Sequence, residues 1–133
     1  VGQRFGGYSF YIKDNHLKYS YNANSIKHFD VVSDEELPIG DVKVAFSFIL
    51  DETGERANVT LYVDDKPAGE TVIEQLAYMV GFSTSLLANP YSPVTPDYES
   101  PFEFTGRTDE IILHQYPTEI DPLEELAKLS NIE

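Results

Sequence analysis

Residues 8–21 carry the pattern of a β-hairpin, and this hairpin constrains the fold more than any other feature of the chain. Apolar and polar side chains alternate through residues 8–13 and again through 17–21, so each run presents one aromatic face to a core and one polar face to water. Between the runs lie Asp14 and Asn15, two residue types that tolerate the positive φ of a tight turn. The pattern predicts a sheet protein with little room for chemistry carried on helices.

Further short strand patterns follow the hairpin, separated by turn residues. We predict strands over residues 26–32, 41–50, 58–63, 68–75, 80–85 and 108–116. Turn signals spaced about 8–12 residues apart favour an all-β fold, an antiparallel β-sandwich. The alternation places the following side chains in its core: Phe10, Tyr19, Val44, Phe46, Leu61, Val63 and Leu113.

The carboxyl-terminal residues differ from the rest of the chain. Asp121 can cap a helix, Pro122 suits the first helical position, and leucines then recur on one face. We therefore predict a β-sandwich over residues 1–118 and a short helical tail over 119–133, within one domain of 133 residues. The tail packs on the sandwich or on a neighbouring molecule.

The composition limits the partners. The chain carries 23 acidic and 9 basic residues, a formal net charge of −14, which repels nucleic acid and anionic membrane surfaces. No apolar run of about 18 residues is present, so we expect no segment to span a membrane. The absence of cysteine excludes disulfides and thiolate metal sites. It favours a reducing compartment weakly and leaves both a cytoplasmic and a periplasmic or secreted location open.

Acidic residues form two candidate sites. Asp64, Asp65, Asp97 and Glu99 offer the carboxylate oxygens that calcium prefers, although a turn explains the Asp64–Asp65 pair equally well. The acids over residues 51–55 could imitate the paired carboxylates of a glycosidase. They surround a glycine between two strands, however, which is where a hairpin loop places polar residues. We assign no catalytic residue.

A long loop over residues 89–101 contains four prolines and contributes no predicted strand. Long loops in compact domains are usually either functional or disordered. Tyr91 and Tyr98 lie in this loop outside the alternating pattern, and both offer a large amphipathic surface. We predict that Tyr91 or Tyr98 contacts a ligand or a partner.

Several segments together resemble the C-terminal domain of long bacterial and archaeal arylsulfatases. These are residues 4–14 (RFGGYSFYIKD) with 17–22 (LKYSYN), 61–69 (LYVDDKPAG), and 92–94 (SPV) with 97–98 (DY) and 101–106 (PFEFTG). The resemblance implies a concanavalin A-like or laminin G-like jelly roll that follows a sulfatase catalytic domain. One departure is that residues 86–91 read LLANPY where relatives show a Val-Gly-x-Asp-x-Gly run.

The chemistry implied by that resemblance belongs to the preceding catalytic domain. There a formylglycine forms from the Cys or Ser of a Cys/Ser-x-Pro-x-Arg motif, beside a divalent metal held by acids. This chain has no cysteine, and none of its serines is followed by x-Pro-x-Arg. We therefore expect a non-catalytic part of a larger sulfatase that needs no cofactor of its own.

Three functions remain open from the sequence. The first is an accessory domain that supports a sulfatase catalytic domain of the same polypeptide, or a homo-oligomer. The second is a carbohydrate-binding module, which an exposed row of tyrosines would favour. The third is a glycosidase, which two facing carboxylates in a cleft would favour. A broad exposed apolar patch would favour the accessory domain.

Overall fold

The computed structural model describes residues 2–3, 6–76, 85–89 and 92–115, and all regular secondary structure in these ranges is antiparallel sheet. Sheet A consists of β1 (Gly2–Gln3), β2 (Gly6–Lys13), β3 (His16–Ala23) and β4 (Lys27–Val32), in that order. Sheet B consists of β5 (Val44–Leu50), β6 (Ala57–Val63) and β7 (Lys66–Ile73), and a short β8 (Ala88–Asn89) pairs with β9 (Phe102–Glu103). The prediction of an all-β antiparallel fold is confirmed. The described ranges contain no helix that could cross a membrane.

Two-residue turns set the register of the main hairpins. Asp14 and Asn15 have φ values of 53° and 60°, and Asp64 and Asp65 have values of 49° and 66°. Left-handed turns of this kind match the twist of the flanking strands, and Asp and Asn tolerate them better than most residues. The turn expected at Asp14–Asn15 and the turn interpretation of Asp64–Asp65 are both confirmed.

Apolar side chains from sheets A and B form one core between them. Phe46 of β5 shows how the sheets meet, because its ring lies 4.9 Å from those of Phe10 and Tyr19 and 5.7 Å from that of Tyr8. Tyr19 and Leu61 are buried as predicted, whereas Phe10, Val44, Phe46 and Val63 are half-buried against the core. The fully buried apolar residues of this core include Leu17, Tyr19, Tyr21, Ala57, Val59, Leu61 and Ile73.

The two sheets come closest where β4 meets β7. The amide of Asp34, just after β4, donates to the carbonyl of Ala68 in β7 over 2.7 Å. A Cβ added to Gly69 would lie 2.9 Å from the carbonyl oxygen of Val32. Only a residue without a side chain allows this approach, so Gly69 permits the close contact between the sheets at this side.

The predicted strand over residues 108–116 is wrong for its described part. Residues 104–115 form no strand, every residue from 103 to 115 is exposed, and Leu113 is 67% exposed rather than buried. A period-two pattern shows that a segment can form a strand, but not that it finds a sheet edge to pair with. Residues 80–84 and the tail helix predicted over 119–133 lie outside the described residues.

Candidate functional site

The outer face of sheet A is polar, and part of the chain covers it. Side chains that alternate with the core residues point to this face, among them Ser9, Tyr11, Lys18, Ser20 and Asn22. We call residues 92–103 the covering loop, because they lie over this face. Ser20 and Asn22 are almost fully buried as a result. The expectation that this face lies in water is therefore wrong for β3.

Side-chain amides shape the covering loop and attach it to the sheet. Asn89 accepts a hydrogen bond from the amide of Val94 at 3.2 Å and one from the Tyr98 hydroxyl at 2.6 Å. Asn22 of β3 donates to the carbonyl oxygen of Val94 at 2.9 Å. These contacts satisfy polar groups that burial would otherwise leave without partners.

Tyr98 belongs to the covering loop, and its side chain is buried against the outer face of sheet A. Its side chain is 6% exposed, and its ring stacks on Phe102 with the centroids 4.4 Å apart. Its hydroxyl lies 2.9 Å from Ser9 Oγ, and burial raises the pKa of Tyr98 despite that contact. Tyr98 thus fastens the loop and has little surface left for an external contact, so its interface role stays a prediction. Tyr91 lies outside the described residues.

Asp97 sits at the centre of an ionic cluster between the covering loop and the sheet. Its carboxylate accepts from the Tyr11 hydroxyl at 2.8 Å, from Lys18 Nζ at 3.0 Å and from Lys13 Nζ at 3.1 Å. Lys13 Nζ also donates to the main-chain oxygen of Asp97. We call Tyr11, Lys13, Lys18 and Asp97 the Asp97 cluster.

The electrostatics of the Asp97 cluster favour the ionised form of Asp97. Burial raises the pKa of Asp97, but the hydrogen bonds from Lys18, Tyr11 and Lys13 outweigh it and bring the pKa to about 2. Burial, followed by the hydrogen bond to Asp97, raises the pKa of Tyr11. Asp97 therefore remains a carboxylate at neutral pH with its oxygens engaged, which suits a structural anchor and not a general acid.

A depression of about 350 Å³ opens between the covering loop and strands β2–β4. The Ser20 hydroxyl donates to Asp30 Oδ1 at 2.5 Å beneath it. A depression of this size with donors and acceptors could hold a small polar molecule. Its lining includes Tyr11, Lys18, Asp30, Val32, Thr95, Pro96 and Asp97.

The predicted calcium ligands are not gathered into one set. Asp64 accepts a hydrogen bond from the amide of Lys43 at 3.0 Å, and Asp65 pairs with Lys43 Nζ at 2.8 Å. Asp97 belongs to the Asp97 cluster instead. Across residues 6–76, 85–89 and 92–115, no group of three or more His, Asp or Glu side chains could hold a metal ion. Calcium binding by Asp64, Asp65, Asp97 and Glu99 thus has no geometric support in this part of the chain.

The acidic segment over residues 51–55 forms hydrogen bonds within its own loop. Asp51 Oδ1 accepts from Thr53 Oγ1 at 2.8 Å and from the amide of Glu55 at 3.3 Å. The hydrogen bond from Thr53, together with those from main-chain amides, lowers the pKa of Asp51. This arrangement supports the turn interpretation of these acids rather than a glycosidase site.

The Asp97 cluster could not be found from the sequence. Lys18 and Asp97 are 79 positions apart, and no local pattern links them. One sequence feature pointed to this face of the hairpin. Tyr11 lies among polar residues on the side of β2 that faces away from the core.

The molecule belongs to the class of antiparallel all-β domains, with a loop fastened across one sheet. Comparison with known proteins finds no matching protein family, no matching curated protein and no matching solved structure. The arylsulfatase resemblance consequently rests on the sequence segments themselves.

Proposed function

We propose that this chain is a non-catalytic accessory domain of an arylsulfatase-type protein, built as a concanavalin A-like jelly roll. The segments that resemble this class lie in a hairpin, a turn and a loop of the described fold. Residues 8–22 form the β2–β3 hairpin, 61–69 include the turn between β6 and β7, and 92–106 include the covering loop.

An exposed apolar patch is the observation that carries the proposal. Leu86 and Leu87 are 66% and 51% exposed, and Phe104 is 40% exposed. The amide of Phe104 donates to the carbonyl of Leu87 over 2.7 Å, so Leu87 and Phe104 are neighbours. We call these three residues the Leu87 patch. Clustered exposed apolar side chains are typical of surfaces that another domain covers.

The chemistry of the chain agrees with a supporting role. It lacks the cysteine or serine motif from which a sulfatase nucleophile forms. We expect the purified chain to leave 4-nitrophenyl sulfate intact, whereas a longer polypeptide that joins it to a sulfatase domain hydrolyses this ester. Metal-dependent turnover by the chain alone would overturn the non-catalytic assignment.

The role of the Leu87 patch is tested in the longer polypeptide. We expect Leu86→Asp with Leu87→Asp to lower its melting temperature or loosen its assembly, because charges would then lie in the covered surface. Ile39→Asp is the matched control, since Ile39 is fully exposed and lies elsewhere in the sequence. Equal melting and equal oligomer size for both variants would argue against a supporting interface at the patch.

The depression beside the Asp97 cluster favours a carbohydrate-binding module as the second candidate. Its mixed donors and acceptors suit a hydroxylated ligand. Against it, every tyrosine that the structure describes is buried or half-buried, so the described surface offers no row of exposed rings on which sugars could stack. Calorimetric titration with a panel of oligosaccharides tests this candidate, and Asp30→Asn should abolish any heat that arises at the depression.

A further inference from the structure

The edges of the described sheets differ in how they are protected. At β7, Lys66, Pro67 and Glu70 are exposed, and charges and proline of this kind discourage a further strand. At β4, the hydrogen bond from Asp34 to Ala68 joins the following residues to the other sheet. By contrast, β5 reads Val-Ala-Phe-Ser-Phe-Ile-Leu, without a charge or a proline, and pairs only with β6 among the described strands.

The core is also incomplete beside β5. Phe46, Phe48 and Leu50 alternate along the strand and so share one face. Phe46 contacts rings of sheet A, yet Phe48 is 37% exposed and Leu50 is 40% exposed. A long, uncharged edge next to exposed core residues invites strand addition and is an aggregation hazard when left open.

The same chain contains an apolar segment that suits this edge. Ile111, Ile112 and Leu113 are 52%, 61% and 67% exposed and belong to no strand of the structure. β-Branched residues are enriched in strands because they pack well on a pleated surface. Ile111 and Leu113 would share one face of such a strand, and Ile112 would point to the other.

We propose that residues 110–114 add to the edge of β5 as a further strand of sheet B. Ile111 and Leu113 then cover Phe48 and Leu50 and complete the core at this side. The structure represents the open form, in which both apolar surfaces face solvent. In the closed form the main-chain groups along the outer edge of β5 gain partners.

The length of the connection allows this movement. Glu103 is held by the pairing of β9 with β8, and Ile111 follows it by eight positions, with seven residues between them. Eight extended steps from Glu103 to Ile111 span about 26 Å at 3.3 Å per step. Sheet B lies about 10 Å from sheet A, and the covering loop lies one further layer outside sheet A, so a reach of about 26 Å can span both layers.

The occupant of the β5 edge is the same molecule and not a second copy. Each chain carries a net charge of −14, so two copies repel each other. A segment tethered by seven residues, in contrast, acts at the high effective concentration of an intramolecular reaction.

Paired cysteines test the proposal, because the chain has none of its own. Leu50→Cys is combined in turn with Ile111→Cys, Leu113→Cys and Ile112→Cys in the full chain, and each variant is oxidised at low concentration. We expect an intramolecular disulfide with cysteine at 111 or 113 and little with cysteine at 112, whose side chain faces away. Circular dichroism confirms that each variant is folded.

Hydrogen exchange gives a readout that needs no cysteine. We expect alternate amides over residues 44–50 to exchange about tenfold faster in an Ile111→Asp, Leu113→Asp variant than in an Ile112→Asp control. Disulfide-linked dimers would assign the β5 edge to a second copy and overturn the proposal. Folded variants without any preferred disulfide, and equal exchange in both aspartate variants, would overturn it as well.

Discussion

Replacing Asp97 by Asn tests whether the Asp97 cluster fastens the covering loop. The substitution keeps the size of the side chain and one acceptor oxygen, but it removes the charge that faces Lys13 and Lys18. Lys18 is the more affected partner, because its side chain is only 15% exposed and would lose its counter-charge. We therefore expect a loss of stability that exceeds the effect of breaking an ordinary surface ion pair.

The magnitude follows from the pKa of Asp97. A fall from the usual value of 3.8 to about 2 corresponds to roughly 2.4 kcal/mol at 1.36 kcal/mol per pH unit. The Asp97 side chain is 34% exposed, so solvent screening reduces this to about 1–2 kcal/mol. For a domain of this length, the melting temperature should fall by about 4–7 °C.

The pH dependence gives the sharper result. The pKa of Asp97 is lower in the folded chain than in the unfolded chain, so its contribution is complete above the unfolded value of 3.8. It is lost as the pH falls toward 2. The difference in melting temperature between the native chain and Asp97→Asn should therefore be full at pH 7 and shrink between about pH 4 and pH 2.

Thermal unfolding followed by circular dichroism measures both quantities. Asp109→Asn is the matched control, since its ion pair with Arg107 is exposed at 75% and 89%, and we expect no measurable change from it. Equal melting of the native chain and Asp97→Asn at pH 7 would refute the role of the cluster. A difference that stays constant down to pH 2 would refute its electrostatic origin.

Further substitutions test the packing, each by urea unfolding. Phe46→Ala should lower the free energy of unfolding by about 3 kcal/mol and Phe48→Ala by roughly half as much, because Phe46 contacts three rings and Phe48 is partly exposed. Equal losses for the two variants would contradict the described core. Gly69→Ala should cost about 1–3 kcal/mol, since its Cβ would meet the main chain of Val32, and a neutral result would show that the sheets separate easily there. Tyr98→Phe should cost about 1–2 kcal/mol through the lost hydroxyl, and an unchanged midpoint would mean that solvent replaces its partners.

The hairpins could be predicted from the sequence because their determinants are local. The Asp14–Asn15 turn and the alternation beside it fix the register of β2 on β3 without help from the rest of the chain. The same holds for the turn at Asp64–Asp65. Local signals of this kind located most of the strands of both sheets to within a few residues.

The covering loop could not be predicted, because its contacts join distant parts of the chain. The alternation in the second strand of the hairpin placed Ser20 on the solvent-facing side, and it is the covering loop that buries this side chain. Tyr98 was singled out correctly as lying outside the strand pattern, but its burial depends on Ser9 and Asn89. The strand prediction for residues 108–116 failed over its described part, 108–115, for a related reason: the sequence of a segment does not show whether a neighbouring strand is free to pair with it.

The covering loop also has a consequence for the order of folding. Both sheets are built from consecutive hairpins, whereas the bonds that attach the loop join residues 72 to 89 positions apart. Contacts between distant residues carry a large loop-closure cost, so we expect them to form after the rate-limiting step. Substitutions at Asp97 or Tyr98 should then accelerate unfolding and leave the refolding rate nearly unchanged. The covering loop would therefore slow unfolding, so that it sets the lifetime of the folded domain but not the rate of folding.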